Sequence, residues 1–107
     1  YSQVSDVEIS TPKDFELSQN YPNPFNPSTK ISYTLPFDSK VTLEVFSITG
    51  SLIGQLVNNE QPAGYYSVDF NSSSKNLSSG IYFYRISAVD NTTGKEFSSI
   101  KKMLLLK

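Results

Sequence analysis

The side chains able to move protons in this sequence are carboxylates, and their placement argues against catalysis. Asp38, Glu44, Glu60, Asp69 and Asp90 fall singly, mostly at turns or on the polar faces of alternating stretches. Glycoside hydrolysis needs two carboxyl groups facing each other across a cleft. A sandwich built from 107 residues leaves little room for one. The absence of histidine and cysteine removes imidazole bases, thiol chemistry, disulfides and the usual zinc ligand sets. The oxygen-rich run Asp90-Asn91-Thr92-Thr93 lacks the acidic spacing of a calcium loop and reads as a solvated turn. The expectation is a non-catalytic chain with no metal and no cofactor.

Ring stacking is the other chemistry on offer. Tyr21, Tyr65 and Phe83 are candidates for exposed platforms, whereas Tyr33, Tyr66, Tyr82 and Tyr84 alternate like core residues. Tryptophan, the usual large platform, is missing. A carbohydrate-binding or spacer module of a secreted multidomain enzyme is therefore the alternative function. The formal charge of −1 gives no footprint for nucleic acid or an anionic membrane. Charge is nevertheless uneven, with a net of −3 over residues 1–16 and +2 over residues 90–107.

Two segments are chemically specific. The terminal run Lys101-Lys102-Met103-Leu104-Leu105-Leu106-Lys107 is a hydrophobic stretch bracketed by lysines. It is far shorter than the ~20 residues a membrane-spanning helix needs, so membrane insertion is not expected. It suits the last half of a buried strand with a cationic tip. The second segment is Tyr21-Pro22-Asn23-Pro24-Phe25-Asn26-Pro27. Its three prolines fix φ and remove three donors, which bars it from a sheet interior. Asn23 and Asn26 can replace the missing backbone partners, and Tyr21 and Phe25 are placed to pin the loop onto one end of a core. Such a loop serves either as a rigid cap or as a preformed extended epitope.

The elements that must position these segments are strands. Turn signals recur roughly every 10 residues, the pattern of an all-β sandwich. Residues 1–13 read as a polar lead-in or linker, and residues 14–107 as one β domain of about seven strands. The expected strands are 15–18, 30–35, 41–48, 52–57, 66–70, 81–89 and 96–106. Ile31, Tyr33 and Leu35 share one face of the second; Val41, Leu43 and Val45 are buried in the third. Phe46 and Ile48 predict a bulge or a second apolar face. Thr49-Gly50 is expected to close a hairpin, Gly54 to mark a bulge or a close approach, and residues 71–80 to form a loop. Apolar residues on both faces of 81–89 predict a central strand. The chain does not begin with Met and shows no signal peptide, so it is expected to be the processed or excised end of something longer, and an exported parent would carry its own signal upstream.

In this order, these residues resemble the C-terminal sorting domain of the bacterial type IX secretion system, type A class. The resemblance runs from Phe15 to Lys107. Its pieces are Leu17 to Thr29, Ile31 to Pro36, Val45-Phe46 with Gly50, Ala63-Gly64-Tyr65-Tyr66, Ser79 to Arg85 and Lys101 to Lys107. It implies an immunoglobulin-like antiparallel sandwich that directs an upstream cargo protein across the outer membrane to the cell surface or medium. It implies as partners the translocon components, a sortase-like peptidase and the cargo domain. Removal of the domain by that peptidase, followed by surface attachment of the cargo, is also implied. By the same resemblance, residues 101–107 belong to the element the translocon recognises. Gly64, Tyr65, Gly80 and Tyr82 match family turn motifs, and cleavage falls in or ahead of residues 1–14. Phe70 stands where relatives commonly have Trp, which reads as a core substitution.

Overall fold

A computed structural model describes residues 12–107; the greater part of the expected lead-in lies outside the described residues. The chain forms seven strands: β1 (Glu16–Leu17), β2 (Ser28–Leu35), β3 (Ser39–Ser47), β4 (Leu52–Gln61), β5 (Gly64–Asn71), β6 (Gly80–Asp90) and β7 (Glu96–Leu105). They make two antiparallel sheets, β1-β2-β5 and β4-β3-β6-β7. This is the expected all-β sandwich, with β6 in the interior of its sheet.

Period-two alternation decides what enters the core, because successive side chains of a strand point to opposite faces. Ile31, Tyr33 and Leu35 of β2 are buried against Val41, Leu43 and Val45 of β3 and Tyr84, Ile86 and Ala88 of β6. Met103 and Leu105 of β7 join them, and Phe70 closes one end. The Tyr33 ring stacks on Tyr66 at 5.3 Å, and its hydroxyl donates to Gln61 Oε1 at 2.5 Å.

Turn chemistry follows the sequence closely. Gly50 closes the β3–β4 hairpin at φ +94°, a conformation that costs glycine least, with its N–H on the Ser47 carbonyl at 2.9 Å. The pairing register shifts beside Gly54, so a bulge forms there. Phe46 does not break the alternation of β3, since it continues the outward series of Thr42 and Glu44. It pairs with Phe83 and begins a second apolar face on the outside of the larger sheet. Two expectations need correction. β4 extends to Gln61 rather than 57, because Asn58, Asn59 and Glu60 pair with Thr42, Val41 and Lys40 despite their polarity. Residues 71–80 are not wholly irregular: Ser72–Lys75 make a short 3₁₀ turn, capped where Asn71 Oδ1 accepts from the Ser73 N–H at 2.8 Å.

Candidate functional site

The proline loop and the end of β7 form one structure. Asn23 Oδ1 accepts from the Leu104 N–H at 3.0 Å. Phe25 N–H donates to the Leu104 carbonyl at 2.9 Å, and Leu106 N–H donates to the Phe25 carbonyl at 3.0 Å. Phe25 thereby makes a parallel bridge to Leu105 on the outer edge of the terminal strand. Its ring is 1% exposed and meets Phe70 edge-on at 6.1 Å. The loop is a cap, and it is also an edge guard.

A hydrogen-bond scaffold holds that cap. Tyr84, fully buried in β6, donates its hydroxyl to the Ser18 carbonyl at 2.6 Å and accepts from the Asn20 N–H at 2.8 Å. Burial pushes the Tyr84 hydroxyl up to about 12, against the lowering effect of the Asn20 hydrogen bond. Asn20 Nδ2 donates to Thr29 Oγ1 at 2.9 Å, and Thr29 Oγ1 donates to the Pro22 carbonyl at 2.8 Å. Gln19 Nε2 reaches across to the Lys102 carbonyl at 2.7 Å. Gln19, Asn20, Thr29 and Tyr84 were not among the site candidates. The usable signal is a cluster of amide and hydroxyl side chains flanking prolines that leave the backbone short of donors.

The other candidates divide between the two ends of the sandwich. Gly80 pairs with Leu105 and Tyr82 with Met103, so this turn motif adjoins the terminal strand. Gly80 sits at φ +149°, backbone that L side chains rarely adopt. Gly64 pairs instead with Leu35, and Tyr65 with Thr34, at the opposite end. There Tyr65 lines a shallow cleft with Pro12, Lys13, Asp14 and Glu16, where the described chain begins. Since β7 runs ten residues from Glu96 to Leu105, roughly 30 Å separates the two ends at ~3.3 Å per residue.

Within the terminal run, Met103 and Leu105 are core residues, Leu104 is half-buried, and Leu106 is exposed. The apolar run therefore does not bury as a whole. Lys102 and Lys107 are exposed and Lys101 is half-buried; the Lys107 N–H donates to Ser79 Oγ at 2.9 Å. The two ion pairs among the described residues are Lys30–Asp69 and Arg85–Glu44, which leaves the terminal lysines without carboxylate partners there. Tyr21 corrects an expectation: at 81% exposure its ring does not pin the loop, and of the two rings Phe25 alone is buried. The reason is register, since Tyr21 bridges Lys30, a residue on the outward face of β2.

The aromatic candidates do not form one platform. Phe83 lies on the outer face of the larger sheet, while Tyr65 and Tyr21 sit by opposite ends of β2. The carboxylates are less scattered than expected, because Asp38 and Glu60 line one cleft with Gln61, Pro62 and Asn91. Asp38 acts there as a turn acceptor, taking the Ala63 N–H at 2.9 Å. Asp90 likewise accepts from the Thr92 and Thr93 N–H groups, and the Thr92 bond, first among several, lowers its pKa. No helix among the described residues is long and apolar enough to cross a membrane.

The described residues thus form an antiparallel sandwich whose terminal strand is bonded to a proline cap. A family model for secretion system C-terminal sorting domains matches residues 19–101, and the chain belongs to that family, the sorting domains of type IX secretion. No curated protein matches the sequence. Membership makes the domain a sorting signal rather than a catalyst. It serves bacterial export to the cell surface or extracellular space, in partnership with the type IX machinery and with an upstream cargo.

Proposed function

We propose that the type IX translocon recognises this domain in its folded state at the end where the proline loop meets β7, with Lys101 to Lys107 as the contacted element. Removal of the domain by a sortase-like peptidase in or ahead of residues 1–14, and surface attachment of the cargo, complete the reading. The observation that carries it is the set of three hydrogen bonds joining Asn23 and Phe25 to Leu104 and Leu106. They give the last residues a fixed shape, and a preformed epitope binds without the entropic cost of ordering.

Position supports the division of labour. Asp14 and Phe15 are held at the far end, through the Asp14 carbonyl accepting from Thr34 Oγ1 at 2.8 Å and a Phe15–Phe97 stack at 4.7 Å. A cargo joined upstream of Pro12 leaves from that end, and a peptidase acting there stays clear of the contacted residues.

The test is export of a reporter fused ahead of residues 1–107 in a bacterium with a type IX system. Leu106→Ser with Lys107→Glu changes only exposed side chains at the terminal end, and Tyr65→Ser is the matched change at the other. The first is expected to abolish surface reporter and the second to leave it, with both domains folded. Equal export of both would reject the assigned end. Exported reporter still joined to the domain would reject the peptidase step.

A further inference from the structure

The proline loop guards only part of the outer edge of β7. Leu104 turns its N–H and carbonyl outward to Asn23 and Phe25. Because outward groups recur at every second residue, Lys102, Ile100 and Ser98 also present their backbone outward. Gln19 takes the Lys102 carbonyl. The Lys102 N–H and both groups of Ile100 and Ser98 meet no backbone or side-chain partner among the described residues. β1 lies against β7, with Phe15 stacked on Phe97, and Gln19 closes the far end of the stretch at the Lys102 carbonyl.

We infer that this gap, Ser98 to Lys102, is a strand-addition site that takes a short, extended, acidic segment of a partner protein. Unpaired edge groups in a row are a template for another strand. Lysines at an edge ordinarily discourage pairing, but Lys101 and Lys102 have no carboxylate partner among the described residues. They repel a basic strand and attract an acidic one. The nearest acid on this strand, Glu96, is engaged with the Ser87 hydroxyl at 2.6 Å. On the outer face, an apolar side chain of the added strand would lie beside Ile100, which is 59% exposed. Ile100 borders a cavity of about 360 Å³ shared with Phe46, Ile48 and Phe83. The inference deepens the sorting reading by moving one contact from the tip to the middle of the strand.

The probe is a capped peptide alternating glutamate and valine, with a lysine–valine counterpart, added to the 1–107 chain and followed by amide exchange in NMR. The acidic peptide is expected to slow exchange at Ser98, Ile100 and Lys102, and the basic one to leave them unchanged. Ile100→Pro removes an outward N–H that no ladder uses, a place where a sheet tolerates proline, and is expected to abolish the effect. If that variant does not fold, Lys101→Glu with Lys102→Glu leaves the backbone intact and is expected to weaken binding at least about tenfold. Slow exchange at the three amides in the free chain, equal binding of both peptides, or protection on another edge would each overturn the inference. Failure here with export still dependent on Leu106 and Lys107 removes this site alone; export indifferent to those residues removes the assigned terminal end alone.

Discussion

The two halves of β7 face the same direction along one edge but are finished differently. From the Lys102 carbonyl onward the outward groups are taken by Gln19, Asn23 and Phe25, and the strand ends as a fixed shape. Before Lys102 the edge carries no such guard among the described residues, and Ser98 and Ile100 stand exposed. An edge strand is a liability that proteins cover, charge or shorten. Here covering is confined to the terminal half, the half proposed above as the element the translocon contacts.

The contrast is most severely tested by removing the guard's anchor. Phe25→Ala is expected to cost about 3–5 kcal/mol through lost burial and the cavity left behind, read as a lower urea midpoint. Ile100→Ala on the open half is expected to fall within about 0.5 kcal/mol of wild type. Similar losses for the two would erase the distinction between the halves.

A subtler cut leaves Phe25 in place and frees the segment leading to it. Tyr84→Phe orphans the Ser18 carbonyl and the Asn20 N–H and is expected to cost about 1–3 kcal/mol at neutral pH. The folded hydroxyl titrates at about 12, above its ordinary 10.0. Its contribution is therefore complete below pH 10 and is lost as pH rises through 12. The gap between wild type and variant, measured by denaturant unfolding, should narrow over that window. A gap independent of alkaline pH would show that packing, not the hydroxyl, holds the segment.

The smallest change sharpens the comparison from the functional side. Lys107→Ala removes an exposed charge and is expected to shift stability by less than about 0.5 kcal/mol, while reducing reporter export. A melting shift as large as that of Tyr84→Phe would make Lys107 part of the fold rather than of the signal.

The strand pattern was legible because burial on one face imposes strict alternation. Ile31, Tyr33 and Leu35, then Val41, Leu43 and Val45, announce their strands without help from neighbours. Asn58 to Glu60 did not, since an exposed stretch of β4 held by its partner leaves no hydrophobic period to read. The two specific segments were visible in sequence as separate objects, 77 residues apart from Pro24 to Lys101. Tyr21 and Phe25 looked equivalent as loop anchors, yet only one is buried, because register and not residue type chose the inward position.

The sequence by itself determined the all-β class, the core faces, the hairpin at Gly50 and the resemblance that the family match over residues 19–101 confirms. Local sterics and alternation act over a few residues, so a single chain segment carries them. Only the tertiary structure decided that the proline loop closes on Leu104 and Leu106, that Gly80 sits beside Leu105, and that Gly64 lies at the other end. Those outcomes depend on which strands become neighbours. Backbone hydrogen bonds between distant segments are the same chemistry everywhere along a chain, and nothing in residue type marks the pair that will form.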